Sequence, residues 1–562
     1  MKINKTMLAA AISSALLMGC DSDTKTVEVE RVVEVEKIVE VPVEQEEVTS
    51  VKNVILMIGD GMGPQQIGLL EEYARRAPNS VLASTTTGMQ KFADGGRVGL
   101  SLNAPGGKNG SLVTDSACSA TQLATGMSAA SEVIGLDDQG NVVETILEKA
   151  KAAGKATGLV TDTRITHATP AAFAAHQPHR SFENEIAEDL LMNQVDVLLG
   201  GGARHWLPQD TADRKDALAA ELGGNTSVIK KSKRSDDRNL IAEARDAGYT
   251  LAFDKDQLSA AEGAKLLGLF DDSAMNDGIE YTACKNDESQ CNHEPSLREM
   301  TLKALDILSQ DEDGFFLMIE GGQIDWAAHV NDTGWLLHEL LKFDEAVDAV
   351  YEWVSERNDT LVVITADHET GGFGFSYSAH NIPEATTLPG DGMKGEDYKP
   401  NYNFGSLSTL DKIYAQKASF YAIYDKVNAD WDFGASTPEQ WQTAVNATLH
   451  PDFHIDYADA QAIAAVKPNE NYYADHKYLS ATQIPAINDF SDFYVYAYED
   501  QGALIARAIS SEQSVTWGNG THTATPVAVY AFGPDGVTKP FSSMLHHTEI
   551  GQLMAKALLD NN

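Results

Sequence analysis

The chain has 562 residues, of which 43% are apolar and 22% are charged, so it is long enough to bury a large hydrophobic core. Its length allows about two to four domains, or one large α/β domain with insertions. The formal net charge of −41 at pH 7 excludes nucleic acid and anionic membrane surfaces as partners held by charge attraction.

The first residues, MKINKTMLAAAISSALLMGC, have the layout of an export signal. Two lysines precede an apolar run from Met7 to Met18 that is too short to span a membrane as a helix. The ending LMGC resembles a bacterial lipobox, in which the cysteine is lipidated. Residues 1–19 are therefore predicted to be a lipoprotein signal peptide and Cys20 the lipid attachment site, with an ordinary signal followed by a chance cysteine as the alternative. The protein is then expected to be exported, periplasmic or at the cell surface, and anchored to a bacterial membrane through this lipid alone.

Residues 20–50 contain a Val/Glu-rich near-repeat, VEVERVVEVEKIVEVPVE. Alternation with a period of two favours an extended strand over a helix. A single ribbon has nothing to bury its valines against, so we interpret this segment as an acidic tether or a self-associating stalk.

From Val51 onward, apolar strands alternate with amphipathic helices. Strands are predicted at 51–61, 156–163, 195–202, 314–322, 360–368 and 526–533, and helices at 142–155, 182–194, 296–308, 336–354 and 548–559. This order predicts an α/β three-layer sandwich with a mainly parallel central sheet covered by helices on both faces. Two segments break the alternation and are interpreted as insertions: a polar one at about 205–290, and a large aromatic one at about 376–500 that contains a predicted helix at 407–427.

Three cysteines follow the predicted lipidation site. In an exported chain, Cys284 and Cys291 in CKNDESQC are expected to form a small-loop disulfide. A metal-binding pair is the alternative, although the chain has no matching second pair. Cys118 is predicted to be a buried free thiol.

Acidic and imidazole side chains follow the predicted strands, where a parallel sheet binds its ligands. They are Asp60, Glu320, Asp325, His329, Asp367, His368 and His522. Each one alone would be interpreted as a capping or surface residue, but their shared position at strand ends predicts a metal centre. A mixture of carboxylates and imidazoles suits zinc, and an all-oxygen set suits magnesium.

The segment VTDSACSATQLATG surrounds one hydroxyl, that of Ser116, with small side chains. A nucleophilic serine normally needs an adjacent base, and no histidine precedes Ser116 in the chain. Coordination to a metal would activate the hydroxyl instead. The small neighbours would let a metal approach it closely.

Taken together, these motifs resemble the alkaline phosphatase family. TDSACSAT is similar to the family's nucleophile signature, and GDGMG, THATPAAFAAHQPHR, EGGQIDWAAH, TADH and GNGTHT match in order. The match covers about 52–205, 296–375 and 510–560, so 51–562 is interpreted as one catalytic domain that carries the two insertions. The glycines of GDGMG are expected to allow close backbone approach near the metals.

The resemblance implies a phosphate monoesterase that forms a phosphoserine on Ser116 and uses two Zn²⁺ and one Mg²⁺ per subunit. One zinc would be held by Asp325, His329 and His522. The second would be held by Asp60, Asp367, His368 and the Ser116 oxygen. Magnesium would be held by Asp60, Thr169 and Glu320. The substrates would be small-molecule phosphate monoesters.

The resemblance also assigns supporting roles. Arg180 would clamp the phosphate, and Asp115 would orient Arg180. His167 and Trp326 stand where other branches of the family have Asp and Lys, and would tune the site. This pair and the long insertion are similar to the cold-adapted marine bacterial branch. A homodimer is the family expectation.

Two other functions fit part of the pattern. A related hydrolase that acts on diesters, sulfates or phosphonates would share the metal ligands, but such enzymes usually lack a serine nucleophile with an arginine clamp. A noncatalytic surface lipoprotein with structural zinc would be expected to have a closed, cysteine-rich site.

Overall fold

The computed structural model describes residues 49–222, 228–428 and 435–560. The predicted signal peptide (1–19), the predicted lipidation site Cys20 and most of the predicted tether (20–50) lie outside the described residues. Within the described ranges, no helix combines the length and the apolar character that crossing a bilayer demands.

Sixteen strands are described, several of them only two or three residues long. They are β1 (Asn53–Gly59), β2 (Arg97–Leu102), β3 (Ala156–Arg164), β4 (Val197–Gly201), β5 (Thr250–Ala252), β6 (Leu266–Leu269), β7 (Phe315–Gly321), β8 (Thr360–Thr365), β9 (Glu369–Thr370), β10 (Gly374–Phe375), β11 (Val466–Pro468), β12 (Gln483–Pro485), β13 (Val515–Thr516), β14 (His522–Thr523), β15 (Val527–Phe532) and β16 (Met544–His546).

The α-helices of the described ranges alternate with the strands of the central sheet and fill the segment between β10 and β13. They are α1 (Pro64–Arg76), α2 (Gly88–Gly95), α3 (Ser116–Thr125), α4 (Ile146–Ala152), α5 (Ala168–Ala171), α6 (Glu183–Met192), α7 (Lys215–Glu221), α8 (Leu240–Asp246), α9 (Lys255–Ala260), α10 (Gly278–Asn286), α11 (Leu297–Leu308), α12 (Gln323–His329), α13 (Thr333–Val354), α14 (Ser408–Tyr414), α15 (Phe420–Val427), α16 (Pro438–Thr448), α17 (Tyr457–Ala464), α18 (Ala497–Gln513), α19 (Asp535–Thr538) and α20 (His547–Leu559).

Ten strands form the central sheet, in the order β16-β2-β15-β8-β1-β7-β3-β4-β6-β5. The seven strands from β8 to β5 are parallel, and β15 runs antiparallel to both of its neighbours. Because β15 runs in the opposite direction, its first residues lie at the edge where the parallel strands end. His522, shortly before β15, is thereby brought to the same edge as the other predicted ligands.

Both faces of the sheet are buried under helices. Along β1, Val54 and Leu56 face one hydrophobic core, and Ile55 and Met57 face the other. Helices α3, α4, α6 and α20 contribute to the first core, and α1, α2, α11 and α13 to the second. The predicted three-layer α/β sandwich with a mainly parallel sheet is confirmed.

Two local predictions differ from the structure. The helix predicted from residue 142 begins at Ile146, because Thr145 and Glu148 form a capping box there. The helix predicted at 407–427 is two helices, α14 and α15. The polar segment 205–290, which stays a predicted insertion, adds β5 and β6 to one end of the central sheet.

Candidate active site

The predicted ligands lie at the ends of three adjacent strands. Asp60 directly follows β1, Glu320 is near the end of β7, and Asp367 comes two residues after β8. In the sheet, Ile58 is opposite both Glu320 and Thr365, so the three strands end at the same level. The carboxylates converge because the strand register places them together.

Ligand atoms at this edge form three groups, and within each group the atoms lie within 4.8 Å of one another. The groups are Asp325, His368 and His522; Asp60, Asp367 and His368; and Asp60, His167 and Glu320. Because Asp60 and His368 each belong to two groups, the three form one continuous ligand cluster.

His329 extends the first of these groups. Its Nε2 lies 3.1 Å from Nε2 of His522 and 3.2 Å from Oδ2 of Asp325. The Nδ1 atoms face backbone carbonyls instead, that of His329 at 2.8 Å from Gly520 O and that of His522 at 3.0 Å from Thr114 O. Donation from Nδ1–H to a carbonyl selects the tautomer whose Nε2 has a free lone pair, as metal-ligating histidines require.

Ser116 is the first residue of α3, and its hydroxyl lies beside the cluster. Its Oγ is 3.2 Å from Nε2 of His368, and the side chain is buried. Asp115 caps the helix by accepting hydrogen bonds from the backbone N–H groups of Ala117 and Cys118, at 3.1 and 3.4 Å. The hydroxyl therefore lies at a helix N-terminus, where the helix dipole favours an anion.

Hydroxyl groups surround the carboxylate of Glu320. Its Oε2 accepts hydrogen bonds from the hydroxyls of Thr161 and Thr163, the latter at 3.3 Å. The Thr169 hydroxyl lies 3.5 Å from Oδ2 of Asp60. Thr169 and Glu320 thus place oxygen atoms, the ligands that Mg²⁺ prefers, next to Asp60, and the ring of His167 lies in the same group.

Arg180 reaches the cluster from the loop after α5. Its Nη1 lies 3.3 Å from Oδ2 of Asp115, and its Nη2 donates to Nε2 of His167 at 3.1 Å. Because a guanidinium has no acceptor, Nδ1 of the neutral His167 ring carries the proton. Trp326 packs edge-on against His167, with 5.9 Å between ring centroids. The four residues form one corner of the site.

The buried carboxylates of the cluster lie close together, which favours the binding of cations. Burial raises the pKa of Glu320 to about 8 and that of Asp367 to about 7, and the neighbouring carboxylates Asp162 and Asp325 add to these shifts. Burial and the Asp367 carboxylate raise the pKa of Asp60 well above its usual range. Bound cations would reverse these shifts by favouring the ionised carboxylates.

Unpartnered oxygen atoms also indicate that the cluster binds cations. Oδ1 of Asp60, Oδ2 of Asp367 and Oε1 of Glu320 are buried and have no hydrogen-bond partner in the part of the chain that the structure describes. A buried polar atom without a partner costs free energy. The donor set therefore fits metal ions chemically as well as in position.

Comparison with known proteins identifies the family. The family model for alkaline phosphatase matches residues 51–559, a range that runs through both segments predicted as insertions. The chain belongs to the alkaline phosphatase family.

Relatives of known activity agree with this assignment. Alkaline phosphatase 3 of Bacillus subtilis (strain 168) is 31% identical over 520 residues, which cover 91% of this chain and 90% of that protein. The crystal structure of a cold-active alkaline phosphatase from the psychrophile Shewanella sp. is 26% identical, with a TM-score of 0.61, and the match covers 90% of this chain and 99% of that one. The Thermus thermophilus alkaline phosphatase shares the fold, at 24% identity and a TM-score of 0.67, over 94% of this chain and 96% of that one. The protein is an alkaline phosphatase family hydrolase, and the resemblance inferred from its motifs is confirmed.

Backbone conformation near the cluster depends on one glycine of the GDGMG motif. Gly61 has φ +73°, and a Cβ there would lie 2.8 Å from Oγ1 of Thr370 and 2.9 Å from Cα of Asp325. Its N–H donates to Oδ1 of Asp367 at 3.1 Å. The close backbone approach expected of this motif is present at Gly61, and a larger residue would displace Asp325.

Three residues that contact the ligands were not anticipated from the sequence. The Thr370 hydroxyl donates to Oδ1 of Asp325 at 2.5 Å. Glu499 of α18 is buried, with Oε2 3.6 Å from Nδ1 of His329, and the ring of Tyr496 packs edge-on against His329. Thr370 lies two residues past TADH and could have been found by that proximity. Glu499 and Tyr496 belong to no motif.

The ligand groups of the described residues contain no cysteine. Cys284 and Cys291 are joined by a disulfide. Cys118 is a buried free thiol on α3, and its S–H donates to the carbonyl of Ala129 at 3.3 Å.

Proposed function

We propose that this protein releases inorganic phosphate from small organic phosphate monoesters through a phosphoserine on Ser116, with two zinc ions and one magnesium ion. The observation that carries the proposal is the 3.2 Å distance between Oγ of Ser116 and Nε2 of His368. His368 belongs to the two groups that contain Asp325 and Asp60, so the hydroxyl lies at the point where these groups meet.

A serine–histidine pair without metal is the competing explanation of that distance. Nε2 of His368 also lies 3.2 Å from Oδ2 of Asp367 and 3.5 Å from Oδ1 of Asp60. A general base would instead be oriented by a carboxylate at its other ring nitrogen, whereas Nδ1 of His368 faces the Thr370 hydroxyl at 3.2 Å. This arrangement favours His368 as a metal ligand.

The residues suit two kinds of metal ion. Asp325, His329 and His522 would hold one zinc, and Asp60, Asp367, His368 and the Ser116 oxygen would hold the second. Asp60, Thr169 and Glu320 would hold magnesium through oxygen atoms. When bound, these ions lower the pKa of a coordinated hydroxyl and neutralise charge on the phosphoryl group.

In the proposed reaction, Oγ of Ser116 attacks phosphorus in line with the ester oxygen. The Oγ–P bond forms, the P–O ester bond breaks, and the organic group leaves as an alcohol after gaining a proton. Water then cleaves the Oγ–P bond, which regenerates the Ser116 hydroxyl and yields phosphate.

Charge on the nonbridging oxygens is met by this chain's own donors. The Arg180 guanidinium offers parallel N–H groups that match two phosphoryl oxygens, a geometry that lysine lacks. Asp115 holds the guanidinium from one side and His167 from the other. Trp326 restricts the His167 ring, so these two residues would tune Arg180 and the oxygen site beside Asp60.

Export, a lipid anchor on Cys20 and a homodimer complete the proposal. The first two rest on the signal-like N-terminal sequence and the LMGC motif. The homodimer rests on the family resemblance. Catalysis as proposed uses residues of one chain.

The decisive test uses purified protein loaded with zinc and magnesium. We expect rapid release of p-nitrophenol from p-nitrophenyl phosphate, and much slower release from bis-p-nitrophenyl phosphate and from p-nitrophenyl sulfate. Chelation should abolish the activity and added zinc should restore it. Activity that survives complete metal removal would favour the serine–histidine pair, and faster turnover of the diester or sulfate would favour a related hydrolase.

A further inference from the structure

Four aromatic side chains of the 376–500 segment form a continuous row from the ligand cluster to solvent. We call Tyr496, Tyr478, His476 and Tyr473 the aromatic row. The Tyr496 ring is edge-on to His329, with 5.2 Å between centroids, and the Tyr478 ring is edge-on to Tyr496 at 5.1 Å. Centroid distances of 6.4 Å separate Tyr478 from His476 and His476 from Tyr473. Exposure increases along the row, reaching 37% at Tyr478 and 65% at Tyr473.

The row starts on the side of the cluster where the ester oxygen is expected to depart, an argument that rests on the proposed function. In-line displacement places the leaving oxygen opposite the attacking one. Ser116 lies against His368, whose ring stacks on His522, and His522 in turn contacts His329, so we take the His329 side as the side of departure. Tyr496 packs edge-on against His329, with 5.2 Å between ring centroids. An organic group attached to the clamped phosphate would therefore pass along Tyr496.

We propose that the aromatic row binds the organic group of the substrate and favours nucleoside monophosphates over monoesters that lack a planar ring. Aromatic side chains stack on any nucleobase, because every base has a π-face. Tyr478 is separated from His329 by one ring, which suits a substrate whose sugar separates the phosphate from the base. The exposed Lys477 has its ammonium 4.8 Å from the Tyr478 ring centroid, and this flexible side chain is the group that a base would displace.

The test compares adenosine 5′-monophosphate with ribose 5-phosphate, which share the same ester oxygen and differ in the base. In the metal-loaded wild-type protein, kcat/KM should be about tenfold higher for the nucleotide, as expected for one base stacked on a ring. Tyr478→Ala should lower kcat/KM for adenosine 5′-monophosphate about tenfold more than kcat/KM for ribose 5-phosphate and so remove the preference. A thermal melt that matches the wild type shows that the variant is folded. Tyr478→Phe should retain the preference. If the alanine variant fails to fold, Tyr478→Leu supplies bulk without a ring and should lose the preference in the same way.

Tyr472→Ala is the matched control, because Tyr472 is a neighbouring tyrosine with 48% of its surface exposed and has no ring contact within the described residues. Its substrate preference should equal that of the wild type. Equal kcat/KM for the two substrates in the wild type, or an unchanged preference in folded Tyr478→Ala and Tyr478→Leu, would overturn the aromatic-row proposal. Failure of the wild type to hydrolyse either substrate would instead contradict the proposed function.

Discussion

The edge of the central sheet and the 376–500 segment both contribute to the surroundings of the ligand cluster, but they contribute different chemistry. The sheet edge supplies buried oxygen and nitrogen atoms whose positions follow from strand register. The segment supplies a row of rings that starts at His329 and, where helix α18 begins, the buried carboxylate of Glu499 beside the same histidine. Under the proposed function the two regions would divide the work: the sheet edge would cleave the phosphate ester, and the segment would select among esters.

The largest loss of activity is expected when the nucleophile at the sheet edge is removed. Ser116→Ala should lower kcat for p-nitrophenyl phosphate by about 10³-fold or more, because Ser116 is the hydroxyl that contacts Nε2 of His368 in the described residues, whereas Thr370 contacts Nδ1. Ser119→Ala on the same helix is the control, since the Ser119 hydroxyl donates to the backbone carbonyl of Asp367 and not to a predicted ligand atom. Comparable kcat values for wild type and Ser116→Ala would exclude Ser116 as the nucleophile.

The next largest effect is expected at Arg180. Arg180→Ala should lower kcat/KM by about 100-fold, because two donors to the phosphoryl oxygens are lost. Inhibition by inorganic phosphate should weaken in parallel. Arg180→Lys should fall between the two, since lysine keeps the charge but not the forked geometry. Unchanged phosphate inhibition in the alanine variant would show that Arg180 does not hold the phosphate.

A smaller effect is expected from the carboxylate of α18. Glu499→Gln should weaken zinc binding by about tenfold, because Glu499 faces the ring nitrogen of His329 that lies away from the cluster. A competing chelator measures the affinity, and kcat at saturating zinc should change little. Glu439→Gln, an exposed carboxylate on α16, serves as the control. Equal zinc affinity in wild type and Glu499→Gln would show that metal binding depends on the sheet edge and not on Glu499.

The smallest effect is a pH dependence of stability in the metal-free protein. Raised pKa values of about 8 for Glu320, about 7 for Asp367 and about 9 for His329 mean that the folded state keeps protons that the unfolded state has released. The free energy of unfolding should therefore fall as pH rises from about 6.5 to about 8. Thermal melts of chelated protein should show a lower Tm at the higher pH, and metal-loaded protein should show a smaller decrease. A Tm that rises with pH in the chelated protein would contradict these shifts.

The two regions also differ in how far the sequence predicts them. Asp60, Glu320 and Asp367 were predictable because each comes at the end of an apolar strand, and parallel strands end at one edge. Tyr496 and Glu499 were not, because the 376–500 segment has no regular alternation and their approach to His329 depends on long-range packing. The strands β5 and β6 have only three and four residues, too few for a periodic pattern.

The boundary between α14 and α15 in the 376–500 segment shows a physical reason why the sequence alone does not predict every helix end. The stretch 407–427 has the apolar spacing of one helix, yet the chain breaks between α14 and α15. The buried carboxylate of Asp332 accepts hydrogen bonds from the Phe420 N–H at 2.8 Å and from the Gln416 side chain, and Ser419 caps the second helix. A partner 88 residues away in the chain thus overrides local propensity.

Trapping the covalent intermediate tests the central claim most directly. Metal-loaded protein mixed with a phosphate monoester and quenched in acid should carry phosphate on the peptide VTDSACSATQLATG, assigned to Ser116 by fragment mass spectrometry. Chelated protein and Ser116→Ala should carry none. Turnover of the monoester without phosphate on Ser116, or with phosphate on Ser119 instead, would contradict the account.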